Sequence, residues 1–330
     1  MSTPLLHVEE LCVEIGTRAG VVRAVDGISL EVDEGRALGL VGESGCGKST
    51  ALRAILGLLP EGARIVSGQV LFDGRDVTAR GSRRASRRRS RSAPISMIFQ
   101  EPTAALNPVM RVGAQIAEAV RRNEACTHVE ARARSIELLR RVGIPEPERR
   151  SRAFPHQLSG GMRQRVVIAI ALACRPRVLL CDEPTTALDV SIQDQVLALL
   201  RELQLEQGFA VLYVSHDLAV VSTVCDHLAV MYGGRIVETG GIPETFRRPR
   251  HPYTAGLLGA IPDFDEVRTL SAIPGTPPSL ISPPVGCRFQ PRCPYAQEDC
   301  FSGSFPLIPS GEGGSTACIH PDVLDGVDTS

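Results

Sequence analysis

Gly42-Glu43-Ser44-Gly45-Cys46-Gly47-Lys48-Ser49 follows the spacing G-x-x-x-x-G-K-S, between an apolar run and a helical pattern. Glycines let successive backbone N–H groups curl around phosphate oxygens. The helix that starts there adds the partial positive charge of its N-terminus. In that setting Lys48 reaches the β- and γ-phosphates of a nucleotide and Ser49 holds Mg²⁺. Gly42, Ser44, Gly45, Cys46, Gly47 and Thr50 complete the cradle. Lys48 is the only lysine among 36 basic residues. The arginine excess as a whole reads as compositional drift, which does not explain why the surviving lysine stands here. A compact ammonium suits a phosphate cradle better than a planar guanidinium. Cys46 reads as a small loop residue, although a helix N-terminus is also a setting that lowers a thiol pKa and makes it reactive.

Later in the chain, the apolar run Val178-Leu179-Leu180-Cys181 ends in Asp182 and Glu183. A buried strand that delivers two carboxylates suits Mg²⁺ ligation by Asp182 and polarisation of an attacking water by Glu183. Alone, such a pair is often only a helix cap; behind a phosphate-binding loop it points to nucleotide hydrolysis. Ser159-Gly160-Gly161, at another helix start, is a second anion site. A second site in one ATPase makes sense if it serves a partner's nucleotide.

Leu158-Ser159-Gly160-Gly161-Met162-Arg163-Gln164 resembles the signature of ABC ATPases, with Met162 where Gln is commonest. The resemblance implies an α/β P-loop NTPase fold of the ABC ATPase type, binding ATP and Mg²⁺. It also implies two ATPase subunits paired head to tail, each lending Ser159, Gly160 and Gly161 to the other's γ-phosphate. Gln100, after a short apolar strand, resembles the family's Q-loop, which touches Mg²⁺ and the membrane subunits. Thr186-Ala187-Leu188-Asp189 resembles the D-loop. His216, in Val214-Ser215-His216-Asp217, resembles the switch histidine that contacts the γ-phosphate. Family members stack adenine on an aromatic upstream of the loop; the nearest candidates here, Ile15 and Val22, are not aromatic.

Three flanking phrases resemble the ATPase subunits of oligopeptide and dipeptide importers: Gln100 to Pro108, His251-Pro252-Tyr253-Thr254 with Leu257 and Leu258, and Gly286 to Pro294. This resemblance implies a second ATPase subunit (a paralogue), two membrane-spanning permease subunits and an extracytoplasmic binding protein. It places the chain peripherally on the cytoplasmic face of the membrane. A nickel or other small-solute importer of the same family is the alternative. A non-transport ABC ATPase and an exporter subunit fit less well, because there is one phosphate-binding loop and a C-terminal appendage.

Cys287, Cys293, Cys300 and Cys318 are spaced C-x5-C-x6-C-x17-C in a stretch rich in Pro and Gly. Such a segment buries little core and needs a staple. Cytoplasmic disulfides are disfavoured. Zinc sites bring ligands in pairs two to four residues apart, whereas iron–sulfur clusters take four thiolates at varied spacings. A [4Fe–4S] cluster is therefore the first expectation, with zinc and plain thiols as alternatives. The importer resemblance includes these cysteines and also points to a cluster.

The elements that must position these groups follow from periodicity. Alternation in Leu5 to Ile15 and Ser29 to Val32 predicts an N-terminal antiparallel β region. Strands are expected at 37–41, 95–99, 178–181, 209–214, 228–231 and 235–238, with helices at 48–58 and 159–174 and a further one with Ile192, Val196, Leu199, Leu200 and Leu203 on one face. This alternation predicts a mainly parallel core sheet. Residues 1–249 read as the ATPase domain, with a helical subdomain at about 103–158; there Ala114, Ile116, Ala117 and Val120 suit one helix face, and Ile136, Leu138, Leu139 and Val142 another. Residues 250–330 read as a small Cys-rich C-terminal lobe. The 330 residues carry net charge −1, and the Arg80–Arg91 run reads as solvated surface, with anionic lipid as its other reading. Without Trp, and with no aromatic in that run, a nucleic-acid partner is not expected. No signal peptide is visible, and the longest apolar run is nine residues, far short of a membrane span.

Overall fold

The computed structural model describes residues 3–78, 94–186, 188–261, 272–311 and 313–324. The arginine run and Ala187 lie outside them. The chain opens with β1 (Leu6–Thr17), β2 (Gly20–Val32), β3 (Ala37–Val41), α1 (Lys48–Leu56), β4 (Ala63–Phe72) and β5 (Arg75–Asp76). Next come β6 (Ile95–Ile98), α2 (Val112–Asn123), α3 (His128–Arg141), α4 (Gly160–Ala173), β7 (Val178–Asp182) and α5 (Val190–Gln207). β8 (Ala210–Ser215), α6 (Leu218–Val224), β9 (His227–Tyr232) and β10 (Arg235–Gly241) follow. The last elements are α7 (Pro252–Leu258), β11 (Ile308–Pro309) and β12 (Ser315–Thr316), with short helical turns between.

Two compact units emerge. One joins Met1–Asp33, Ala37–Thr78 and Tyr213–Ser330; the other joins Glu34–Arg36 and Ala79–Leu212. Residues 250–330 fall within the first of these units.

In the first unit an antiparallel sheet runs β2-β1-β4-β5, as the N-terminal alternation predicts. Leu6, Val8, Leu11 and Val13 of β1 are all buried, each worth about 1.5–3 kcal/mol against exposure. β3 is buried at every position, as befits a strand covered on both faces. It pairs in parallel with β9, Leu38 opposite His227 through Val41 opposite Val230. Asp226 fastens the start of this pair: its carboxylate accepts from the Ala37 N–H at 2.8 Å. β9 turns back into β10 through Gly233-Gly234, the expected two-residue hairpin, and both glycines have positive φ (54° and 86°). Beyond β10 the sheet gains β12 and then β11, both antiparallel.

In the second unit β6 and β7 pair in parallel, Ile95 opposite Val178 through Ile98 opposite Cys181. The expected helices are present, and α3 opens with a capping box between Thr127 and Glu130. Its buried face is Ala131, Ser135, Leu138 and Leu139. The face assigned to α2 needs correction. Val112, Gly113, Ile116 and Val120 are buried, and Ala114 is exposed. Gly113 turns inward because the backbone there runs against Ser151, whose Cβ would lie 2.7 Å from any added methyl.

Candidate functional site

The loop between β3 and α1 is built by close backbone approach. Gly47 has φ 111°, and a Cβ on it would lie 2.0 Å from the Ala24 carbonyl; on Gly42, at φ 154°, it would lie 2.1 Å from the Met231 carbonyl. No side chain fits either place, so the glycines let the loop lie flat on β2 and β9. Ser44 and Gly45 are exposed at its crest, while Ser49 and Thr50 are half-buried in the first turn of α1. Lys48 is buried, and its Nζ donates to the carbonyls of Gly42 at 2.6 Å and Glu43 at 3.1 Å. The loop is thus wrapped around its own ammonium, with the N–H groups of α1 at its base. The Cys46 carbonyl accepts from the Gly234 N–H at 3.0 Å, tying the loop to the β9–β10 hairpin. The thiol of Cys46 does not follow the reactive reading, and its role as a small loop residue stands. Burial raises its pKa and outweighs the lowering by Lys48, so the helix N-terminus does not yield a thiolate.

Three residues that sequence reasoning left without a role meet at this loop. The Glu43 N–H donates to Tyr253 Oη at 2.8 Å. The Glu43 carboxylate accepts a two-pronged bond from Arg292, at 2.6 and 2.9 Å. The available signal was Glu43 itself: an acid inside a phosphate cradle demands a neutralising cation. A second arginine, Arg288, donates to the Asp26 carboxylate and to the Gly233 carbonyl. Tyr232, Tyr253 and Phe289 pack ring against ring, with centroids 4.5–5.4 Å apart.

The second unit carries the acidic pair. β7 is buried throughout and delivers Asp182, only 2% exposed, at its end. Glu183 follows at φ 45°, a left-handed backbone that a non-glycine residue rarely holds. Its carboxylate accepts from Gln100 Nε2 at 3.3 Å and from Thr186 Oγ1 at 3.0 Å. Three segments singled out in the sequence therefore converge on one carboxylate. Ser159 caps α4, accepting from the Met162 N–H at 3.3 Å, and stands exposed with Gly160. A Cβ on Gly161 would lie 2.6 Å from Ile192 Cγ2 of α5. Asp189, exposed, is the N-cap residue of α5. His216 belongs to the first unit, exposed at the end of β8, where Asp217 caps α6 through the N–H groups of Ala219 and Val220.

The four cysteines 287, 293, 300 and 318 line one pocket, together with Phe289, Phe305 and His320. Burial raises the thiol pKa of Cys287 and Cys293, and that of Cys318 to about 11. Among the described residues, the ligand atoms that crowd within 4.8 Å of one another are those of Asp299, Cys300 and His320; no three of the four thiols come so close. Beside the pocket, Glu238 accepts from the N–H groups of Arg250 and His251, at 2.7 and 2.9 Å. Burial raises its pKa to about 7 and lowers that of His251 to about 3.

Comparison with known proteins gives two family matches. Residues 25–186 match "ABC transporter", and residues 237–300 match "Oligopeptide/dipeptide transporter, C-terminal region". The chain is 44% identical to the Bacillus subtilis oligopeptide transport ATP-binding protein OppD, over 97% of this chain and 90% of that protein. It is also 44% identical to the Escherichia coli dipeptide transport ATP-binding protein DppD, over 96% of this chain and 97% of that one. Among solved structures, the dimeric ATP-binding cassette MJ0796 bound to ADP and Pi is similar at TM-score 0.62 and 27% identity, over 72% of this chain and 98% of that chain. CbiO1 of Clostridium perfringens, part of an ABC transporter complex, is similar at TM-score 0.63 and 31% identity, over 74% of this chain and 91% of that chain.

Proposed function

The chain belongs to the ATP-binding subunits of ABC-type oligopeptide and dipeptide transporters, and on that footing we propose that it binds and hydrolyses ATP to drive peptide uptake. The observation that carries the peptide class is the match of residues 237–300 to the transporter-specific C-terminal region, alongside relatives aligned over nearly their whole length. In this reading the cradle from Gly42 to Thr50 binds the phosphates, with Lys48 on the β- and γ-oxygens. Ser49, Asp182 and Gln100 serve Mg²⁺, Glu183 polarises the water, and His216 contacts the γ-phosphate. Ser159, Gly160, Gly161 and Asp189 face the nucleotide of a second ATPase subunit, and the exposure of Ser159, Gly160 and Asp189 supports this assignment. No helix among the described residues is long and apolar enough to cross a membrane. In this reading, which rests on the transporter family and not on that absence, the chain works with two permease subunits at the cytoplasmic face, supplied by an external binding protein.

The cysteine pocket suits a [4Fe–4S] cluster better than zinc. Four thiolates around one zinc stand about 3.8 Å apart, from Zn–S bonds of about 2.3 Å. Among the described residues no three of the four thiols lie within 4.8 Å of one another, a spacing that would leave room for a cluster held by four thiolates. Cys287, Cys293, Cys300 and Cys318 would hold the cluster, which would supply a cross-link to a segment with little core.

The test is uptake by liposomes that contain this chain, a second ATPase subunit and their two permeases, with the binding protein outside. ATP-dependent peptide accumulation, lost in Lys48→Ala, is expected. Accumulation of nickel in place of peptide would move the substrate to a small solute, and ATP hydrolysis indifferent to the permeases would overturn the transport reading.

A further inference from the structure

Glu43 occupies the second position of the phosphate-binding loop, where a free carboxylate would repel a nucleotide. Its two ends are both held from the segment beyond β10. Arg292 forms a two-pronged bond to the carboxylate and is itself only 5% exposed. The guanidinium has little freedom: its Nε donates to the Pro274 carbonyl at 2.7 Å, and its Nη groups also reach the Ile273 carbonyl and Tyr232 Oη, each at 3.3 Å. Such a fork fixes both the place and the plane of the acid it grips. At the backbone, the Glu43 N–H is tied to Tyr253 Oη at 2.8 Å, and the Tyr253 ring is fully buried. The Glu43 carbonyl accepts from Lys48 Nζ at 3.1 Å. A continuous path therefore runs from Arg292 and Tyr253, through Glu43, to Lys48.

We propose that Arg292 and Tyr253 are positioning residues of the nucleotide cradle: by neutralising and orienting Glu43 they set the affinity for MgATP through Lys48. The segment C-terminal to β10 is then a working part of the nucleotide site and not only an appendage. This rests on reading residues 42–50 as that site, and loss of MgATP binding in Lys48→Ala tests that reading separately.

The experiment measures MgATP binding to the full chain by calorimetry, for Arg292→Gln, Glu43→Gln, the double variant and Tyr253→Phe. Arg292→Gln leaves a bare carboxylate in the cradle and should weaken binding about ten- to a hundredfold, the worth of a charged hydrogen-bonded pair. Glu43→Gln removes the charge that needs neutralising. In that background Arg292→Gln should cost less than about twofold more, because the two residues act as one unit. A purely structural arginine would cost the same in both backgrounds, and that result overturns the proposal. Should Arg292→Gln fail to fold, Tyr253→Phe decides: it keeps the ring packing, removes only the hydroxyl, and should weaken binding about fivefold. Wild-type affinity in a folded Tyr253→Phe would equally overturn it.

Discussion

Gln100 Nε2 donates to the Glu183 carboxylate across 3.3 Å, on a residue whose backbone is held at φ 45°. With Thr186 on the same oxygen, the carboxylate is aimed by two neighbours and by its own strained backbone. Glu183→Gln should therefore retain ATP binding while turnover in the assembled transporter falls by about 10²–10⁴. Single-turnover hydrolysis measured beside nucleotide binding checks this; near-normal turnover would remove Glu183 from the role of base.

Gly161 is small because α5 passes close by. Gly161→Ala places a methyl 2.6 Å from Ile192 Cγ2, and overpacking of this kind costs about 1–3 kcal/mol. Adding Ile192→Ala makes room. The expected result is a lowered melting temperature in Gly161→Ala that is partly restored in the double variant; strictly additive losses would contradict the contact.

Glu238 and His251 give opposite pH dependences. The Glu238 carboxyl, raised from 4.5 to about 7 in the folded chain, holds its proton more tightly there than when unfolded. Its stabilisation is present below pH 4.5 and is lost as pH rises through 7. His251, lowered from 6.5 to about 3, stays neutral in the folded chain while the unfolded chain takes up a proton. Its contribution is present above pH 6.5 and is lost as pH falls toward 3. Relative to the unmodified chain, Glu238→Gln should gain melting temperature on going from pH 4.5 to 8. His251→Asn should gain it on going from pH 6.5 to 4.5. Differences that do not change with pH would rule out both assignments.

Anaerobic purification should yield a brown chain that absorbs broadly near about 400 nm and carries about four irons, and Cys318→Ser should bleach it. One zinc per chain and no iron would replace the cluster with a zinc staple.

Legibility in the sequence followed periodicity and local chemistry. β3 and β7 were readable because burial on both faces leaves continuous apolar runs, and the Gly42–Ser49 spacing marked the loop between β3 and α1 directly. Ala114 misled because alanine suits either face of a helix; only its neighbour Gly113, pressed on Ser151, reveals which side turns inward. β11 and β12, of two residues each, are too short to show any period. The bond from Arg292 to Glu43 joins residues 249 apart; an acid in that loop calls for a cation, but nothing local to Glu43 singles out Arg292 among the arginines. The buried thiol of Cys46 shows the same limit, since helix-start position was visible and depth of burial was not.

The pairing of β12 with β10 has a consequence for biosynthesis. A ribosome makes β10 long before Ser315 and Thr316, yet Glu238 lies opposite Thr316 in the finished sheet, and Thr316 is fully buried. During that interval the outer edge of β10 has unpaired backbone groups, the kind of edge that recruits stray strands. Contacts this distant in sequence also close slowly. The nascent unit thus spends the synthesis of some 75 residues with an open flank, and a stalled or truncated chain would keep that edge open to other strands.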